Sequence, residues 1–160
     1  MRKVIVNSTP MIALAKCRKL ELLRKMYERI IIPEAVFKEL TFKEDIVSTS
    51  LEENLNWIEV KKIRHTEDRK LFKTRLHDGE VEVMILAREL NADVVIIDDL
   101  AARNTAEYYH LPVTGTLGVL IKAKKNGLID EVMPVIKEMQ HQHIYFSESL
   151  IALIREKAGE

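Results

Sequence analysis

Two patterns of apolar residues alternate along the chain. Short runs such as 94–97 contain only β-branched residues, which is typical of a strand buried on both faces of a sheet. Longer stretches, of which 78–90 is the strongest, place apolar residues three and four positions apart, as an amphipathic helix does. Because strands alternate with helices, we predict an α/β fold in which helices cover both faces of a mainly parallel sheet.

The elements can be placed approximately from these patterns. Strands are predicted at 3–6, 30–32, 57–60, 94–97 and 111–114, with a further small strand near 144–146. One helix is predicted to begin near Pro10, and another follows 114–118 and ends at Lys125. Further helices are predicted at 20–27, 33–40, 78–90, 101–109, 129–139 and 147–157. Residues 43–56 are weakly helical, with a break expected at 48–50, and 61–75 is predicted to be a linker with a short helix. No repeat or domain boundary is visible, so we predict one domain spanning 1–160.

Composition excludes several classes of protein. With 160 residues, of which 47% are hydrophobic and 31% charged, the chain has the composition of a globular domain with a core of its own. No apolar run approaches the roughly 20 residues of a membrane helix, so we expect no membrane association. The single cysteine, Cys17, excludes an internal disulfide and a multi-cysteine zinc site, and we expect a cytoplasmic protein.

The charge is balanced overall but unevenly placed. The 25 basic and 25 acidic residues give a net charge of zero, so there is no general attraction to a polyanion. Basic residues nevertheless crowd 16–29 and 61–75. Such runs are usually solvated faces, although they can also contact phosphates.

An acidic pair marks the most apolar of the predicted strands. Asp98 and Asp99 directly follow the run 94–97, at the point where that strand would leave the sheet. Ligands of open α/β sheets bind at the carboxyl edge of the strands. Two adjacent carboxylates are costly there unless a positive group, such as a metal ion, lies close by.

Three other positions are candidates to meet this pair. Asn7 also follows a predicted strand, so it would share the edge with Asp98 if the two strands are parallel neighbours. Glu80 lies in the first turn of a helix, and Glu39 lies near the end of one, where the helix dipole disfavours an acid. Oxygen ligands of this kind are those that Mg²⁺ and Mn²⁺ prefer. The spacing therefore suggests a metal site formed by Asn7, Glu39, Glu80 and Asp98.

Polar residues around these positions could contact a substrate. Ser8 and Thr9 follow Asn7, and Thr114 and Thr116 precede a predicted helix, so each could bind a phosphate or cap its helix. Capping is the expected role of both threonines at 114 and 116. Arg103 could either neutralise an acid or hold a phosphate.

Several short segments, taken in order, make the sequence resemble a known family. These are VNSTPMIALA (6–15), IPEAV (32–36) with Glu39 and Leu40, Gly79-Glu80, IDDLAAR (97–103) and TGTLGVL (114–120). Together they resemble the PIN-domain superfamily (PilT N-terminus-like). The last segment is similar to that of a subgroup of uncharacterised prokaryotic PIN proteins, related to the ribonucleases of toxin–antitoxin pairs. The resemblance covers nearly the whole chain.

The resemblance implies a three-layer α/β/α sandwich with an acidic pocket that binds Mg²⁺ or Mn²⁺ and cleaves RNA. It carries the family's four acidic positions onto Asn7, Glu39, Glu80 and Asp98, with Asp99 beside the last, as the catalytic and metal-binding residues. It also implies a homodimer, and for toxin members a small antitoxin protein as partner.

One departure keeps alternatives open. Asn7 stands where most members of the family have aspartate, and the lost charge would weaken metal binding and catalysis. The leading hypothesis is a metal-dependent ribonuclease of the toxin type, and the second is a PIN fold that binds RNA or protein without cutting. A phosphoacceptor receiver domain fits less well, because its acidic pair follows the first strand. Aromatic residues are few and most are expected to be buried, so we predict limited base specificity.

Overall fold

The computed structural model describes residues 2–72 and 76–160 and contains a five-stranded parallel sheet. The strands are β1 (Val4–Val6), β2 (Ile30–Pro33), β3 (Ile58–Lys61), β4 (Val94–Ile96) and β5 (Val113–Thr114). Their order across the sheet is β3-β2-β1-β4-β5. In the central pair, Ile5 of β1 lies opposite Val95 of β4, and Val6 lies opposite Ile96.

Ten α-helices connect or follow the strands in the described part of the chain. They are α1 (Ser8–Lys16), α2 (Glu21–Tyr27), α3 (Glu34–Thr41), α4 (Ile46–Glu53), α5 (Arg69–Phe72), α6 (Asp78–Leu90), α7 (Leu100–Tyr108), α8 (Thr116–Lys125), α9 (Met133–His141) and α10 (Glu148–Ala158). A single 3-10 turn at Thr66–Asp68 precedes α5. None of the helices within residues 2–72 and 76–160 is long and apolar enough to cross a membrane.

Both faces of the sheet are covered. Val4, Ile5 and Val6 are consecutive in β1, and each is 0% exposed. Because successive side chains of a strand point to opposite faces, burial of all three requires a helical layer on each side. The result is the predicted three-layer α/β/α sandwich, whose core includes buried side chains of β1, β4 and α6.

The sixth strand predicted near 144–146 is wrong. Residues 144–146 form no strand in the structure. Ile144 and Phe146 pack against the core while Tyr145 points outward, so the alternating pattern arises from a packed loop rather than from a sheet. The amide of Ile144 donates to the carbonyl of Met139 and closes the end of α9 instead of joining a strand.

The expected break at 48–50 is also wrong, and α4 runs through it. Asp45 is the N-cap of this helix, and its carboxylate accepts hydrogen bonds from the amides of Val47 and Ser48. The hydroxyl of Ser48 in turn accepts a hydrogen bond from the amide of Asp45. Ser48 therefore belongs to a capping box that starts the helix. In the segment predicted as a linker with a short helix, the structure has the 3-10 turn and α5, and residues 73–75 lie outside the described residues.

The order of the strands creates one position where a ligand can enter. After β1 the chain moves to β2 and β3 on one side, whereas after β4 it moves to β5 on the other. The carboxyl ends of β1 and β4 therefore form the switch point of the sheet, where connections leave in opposite directions and open a crevice.

Candidate functional site

Asn7 and Asp98 both lie at the switch point, because β1 and β4 are parallel neighbours. Asn7 directly follows β1, and its backbone amide donates to the carbonyl of Ile96 in β4 at 3.0 Å. The Asn7 side chain is buried, and it faces a cleft of about 570 Å³. We call this the acid cleft; its lining includes Asn7, Ser8, Lys38, Glu39, His77 and Glu80.

Glu39 reaches the acid cleft from the last turn of α3. Its Oε2 accepts a hydrogen bond of 2.8 Å from the hydroxyl of Ser8, at the start of α1. Its Oε1 lies so close to Gly79 of α6 that a β-carbon there would overlap it. The glycine thus lets the Glu39 carboxylate lie directly against α6, the helix that carries Glu80.

Glu80 is the buried acid of the cleft. It is 7% exposed, and its Oε1 accepts a hydrogen bond of 3.0 Å from the amide of His77. Burial raises the pKa of Glu80, and the negative charges of Asp99 and Glu39 raise it further, against the opposing effect of the His77 amide. A buried carboxylate with like charges around it is an environment that a bound cation would stabilise.

Asp98 and Asp99 are held by the two helices that follow them. The two carboxylate oxygens of Asp98 accept hydrogen bonds from Thr116, one from its amide at 2.7 Å and one from its hydroxyl at 2.5 Å. The negative charge of Asp98 therefore lies at the N-terminus of α8, where the helix dipole favours it. Asp99 caps α7 by accepting from the amide of Ala102 at 2.9 Å.

The predicted residues are distributed over two neighbouring depressions. Asn7, Glu39 and Glu80 line the acid cleft, whereas Asp98 lines a second depression of about 670 Å³ between α8 and α10. Thr9 lines both. We call the second depression the α8–α10 groove; its polar end has Thr9, Asp98 and Arg103, and its apolar part includes Leu117, Ile121 and Ile154.

The capping role predicted for Thr114 and Thr116 is wrong, and of the two roles left open for Ser8 and Thr9, neither residue has that of a cap. Asn7 occupies the N-cap position of α1 and Gly115 that of α8, and neither helix has a side-chain cap. Ser8 and Thr116 are the first residues inside their helices, and their hydroxyls donate to the carboxylates of Glu39 and Asp98.

The two remaining substrate candidates lie at the α8–α10 groove. Thr114 lines it, with its hydroxyl packed against Gly118. The Arg103 guanidinium and the Asp98 carboxylate lie on either side of Gly115, close enough for a β-carbon at 115 to contact both. Arg103 thus faces the acidic end of the groove, in reach of a phosphate bound there.

The sequence patterns did not single out Lys38 and His77, which line the acid cleft, or Glu82. Glu82 is buried; its Oε2 pairs with Arg69 at 2.6 Å, and its Oε1 accepts from the amide of Ala35 at 3.0 Å. It thereby joins α6 to α5 and to the N-terminus of α3. The position of His77 just before a strong helix was a usable signal, whereas the partners of Glu82 are 47 and 13 residues away.

The chemistry of the donor set fits a hard divalent cation, although the side chains do not form a closed ligand shell. In residues 2–72 and 76–160, no three His, Cys, Asp or Glu side chains come together closely enough to hold a metal ion. The donors at this edge are nevertheless carboxylate and amide oxygens, and burial, together with the charges of Asp99 and Glu39, raises the pKa of Glu80.

Comparison with known proteins agrees with this architecture. A solved PilT N-terminus domain protein from the hyperthermophilic archaeon Sulfolobus solfataricus superposes with a TM-score of 0.50 at 16% identity, over 77% of this chain and 93% of that one. At that identity the likeness establishes the fold alone. The family model for DUF3368, described as a PIN domain, matches residues 3–160. The chain belongs to this PIN-domain family.

PIN domains are generally nucleases. In this PIN domain, Asp98 and Asp99 follow β4 at the switch point of the sheet. The predicted family and fold class are therefore confirmed. No curated protein matches the chain in sequence. The roles of individual residues, the metal and the substrate accordingly rest on the geometry of the site.

Proposed function

We propose that this PIN domain is a metal-dependent ribonuclease that hydrolyses RNA phosphodiesters. The observation that carries the proposal is the buried Glu80 carboxylate, whose pKa is raised beside the charges of Glu39 and Asp99. Buried acids with perturbed pKa values in a cleft are frequent at functional sites. Membership of a family of nucleases gives this acid cleft its expected chemistry.

The residues that would hold Mg²⁺ or Mn²⁺ are the oxygen donors of the switch point: Asn7, Glu39, Glu80, Asp98 and Asp99. Such a cation, when bound, lowers the pKa of a coordinated water and stabilises negative charge on a phosphate undergoing hydrolysis. Hard cations of this type usually retain several water ligands, so a site with few direct protein ligands suits them.

Neighbouring hydroxyl and backbone amide groups keep these donors in position. Ser8 orients Glu39, Thr116 fixes both oxygens of Asp98, and the His77 amide holds Glu80. Lys38 at the acid cleft and Arg103 at the α8–α10 groove would bind the phosphates that flank the reacting one. These positively charged groups offset the repulsion between an acidic site and a polyanionic substrate.

Asn7 supports a second candidate function, an RNA- or protein-binding PIN domain with weakened catalysis. Asn7 is buried and lines the acid cleft, and its side-chain amide occupies a position where the family resemblance leads one to expect a carboxylate. The amide oxygen can still ligate a cation, but it contributes no charge. The two candidates therefore differ in how much activity the natural site retains.

The finer predictions from the family resemblance form part of the same proposal. We propose a toxin-like role, a homodimer and, where a toxin pair exists, a small antitoxin protein as partner. A cytoplasmic location remains a prediction from cysteine usage.

The decisive experiment is cleavage of a mixed RNA substrate with Mg²⁺ or Mn²⁺, with and without a chelator. We expect cleavage that requires metal and falls at least a hundredfold in Asp98→Asn, because that change removes a negative charge from the site. Asp93→Asn is the matched control, since Asp93 lies just before β4, at its opposite end, where it binds the amide of Lys3. Metal-independent cleavage, or full activity in Asp98→Asn, would refute the proposal.

Asn7→Asp separates the two candidate functions. If the natural protein is inactive but binds Mn²⁺, and Asn7→Asp cleaves RNA, the chain is the weakened form of the enzyme. If Asn7→Asp adds no activity to an inactive protein, the chain is a binding module.

A further inference from the structure

Four of the exposed large apolar side chains within residues 2–72 and 76–160 line the α8–α10 groove. Of its lining residues, Leu100 is 72% exposed and Tyr145 is 84% exposed, and Leu150 and Leu153 of α10 are also exposed. Its floor is formed by buried or half-buried side chains such as Leu117 and Ile154. Apolar side chains that line a depression with a few polar groups at one end are typical of a binding site.

The groove is continuous with the acid cleft. Thr9 lines both depressions, and Asp98 lines the near end of the groove. A strand whose phosphate lies between Glu80 and Asp98 would therefore place its adjoining nucleotides in the groove. A ligand that takes no part in RNA cleavage would not need the α8–α10 groove to open into the acid cleft.

The charges of the groove match a polyanion. Arg103 lies at the near end and Lys157 at the far end, and Asp98 is the one acidic residue among the described lining residues. Within residues 2–72 and 76–160, no carboxylate oxygen lies within 4.0 Å of either cation, and the oxygens of Asp98 are occupied by Thr116. Both cations are therefore available to phosphates on either side of an apolar floor.

Tyr145 supplies what the sequence was predicted to lack, an exposed aromatic face beside the candidate site. Ile144 and Phe146 on either side of it pack against the core and anchor the loop, which leaves the Tyr145 ring in solvent. An anchored aromatic residue next to a basic groove is the usual platform for the bases of single-stranded nucleic acid.

We propose that the α8–α10 groove binds unpaired nucleotides of RNA adjacent to the scissile phosphate, with Tyr145 stacking on a base and Arg103 and Lys157 binding phosphates. The inference rests on the proposed function for its substrate, and it adds a preference for single-stranded over base-paired RNA. Stacking is tolerant of sequence, so the preference concerns strandedness rather than base identity.

The test is binding of a labelled 12-nucleotide single-stranded RNA by fluorescence anisotropy, with chelator present so that no cleavage occurs. We expect Tyr145→Ala to weaken binding about tenfold and Tyr145→Phe to bind normally, because the ring alone stacks. Tyr108→Ala is the matched control, since Tyr108 is 77% exposed and lies outside the groove. Equal binding by Tyr145→Ala and the natural protein, or an equal loss in Tyr108→Ala, would overturn the proposal.

Two lysine variants give a second, independent readout. Lys157→Ala should lower both the affinity and its dependence on salt, whereas Lys125→Ala, at the exposed end of α8, should change neither. The same RNA in a perfect duplex should bind less tightly than the single strand. Equal affinity for duplex and single strand would contradict the groove as a site for unpaired bases.

The outcomes distinguish this inference from the nuclease proposal. Binding that depends on Tyr145 without any metal-dependent cleavage supports the groove and refutes the enzyme. Cleavage that depends on Asp98 with binding indifferent to Tyr145 supports the enzyme and refutes the groove. If RNA binding is indifferent to Tyr145 but Tyr145→Ala converts a dimer to a monomer in gel filtration, the groove is a protein interface and the inference is overturned.

Discussion

The absence of a side chain at Gly79 allows the Glu39 carboxylate to lie close to α6, the helix that carries Glu80. A β-carbon there would overlap Oε1 of Glu39, and the nearest backbone and core atoms are farther away. The position lies in the first turn of α6, in an ordinary helical conformation, so the glycine is not needed for an unusual backbone angle. Its effect is therefore on the position of a carboxylate.

Gly79→Ala is predicted to damage the site without damaging the fold. The added methyl group should push the Glu39 carboxylate away from α6 and lower the affinity for Mn²⁺ about tenfold. Alanine favours helix over glycine by up to about 1 kcal/mol, so the free energy of unfolding should stay equal or rise. Calorimetric titration and urea unfolding measure the two quantities, and a large loss of stability would contradict the account.

Glu80 makes the stability of the metal-free protein depend on pH. Its pKa is raised above the ordinary 4.5, so ionising it in the folded protein costs free energy that the unfolded chain does not pay. That cost is absent below pH 4.5 and grows as pH rises through the raised pKa. Glu80→Gln keeps the acceptor for the His77 amide and should therefore be more stable than the natural protein at pH 7. In urea unfolding with chelator, the difference should shrink as pH falls toward 4.5, and a constant difference would contradict this cause.

At the scale of elements, a buried acid joins the helices that carry Glu39 and Glu80. Glu82 lies two residues after Glu80 in α6, binds the N-terminal amide of Ala35 in α3, and pairs with Arg69 of α5. The side chain of Glu82 is 9% exposed and that of Arg69 36%, so the pair is only partly screened by water. The spacing of α3 and α6 depends on this junction.

Glu82→Ala is predicted to lower the free energy of unfolding by about 2 kcal/mol, because the charged hydrogen bond to the half-buried amide of Ala35 is lost and the Arg69 charge is left unpaired. Thermal and urea unfolding measure the loss. Glu52→Ala, at an exposed position in α4, is the matched control and should change stability by less than about 0.5 kcal/mol. Equal effects of the two changes would contradict the junction.

At the scale of the whole molecule, the parts of the fold that depend on local patterns could be predicted. Strands β1, β2 and β4 could be placed from their short apolar runs, and β3 from the alternation of apolar and polar residues at 57–60. The positions of Asn7 and Asp98 followed from the strand ends. The loop 144–146 resembles a strand in sequence because Ile144 and Phe146 pack against the core while Tyr145 between them is exposed, which gives the alternation of a strand.

The contacts that shape the site could not be read from local patterns. Thr116 lies 18 residues after Asp98 in sequence, and Ser8 lies 31 residues before Glu39. The residues next to either acid in sequence therefore do not indicate its hydrogen-bond partner. The division between the acid cleft and the α8–α10 groove depends in the same way on how α8 and α10 pack. Such contacts are set by the three-dimensional arrangement of complete elements.

Calorimetric titration of Mn²⁺ into the natural protein and into Glu80→Gln tests whether the acids at this edge of the sheet bind a metal ion. We expect one site in the natural protein, an affinity at least tenfold weaker in Glu80→Gln, and no change in Glu52→Gln, whose side chain is exposed in α4. Binding that is absent from the natural protein, or that is indifferent to Glu80, would contradict the claim that the acids at the β1–β4 switch point form a metal-dependent site.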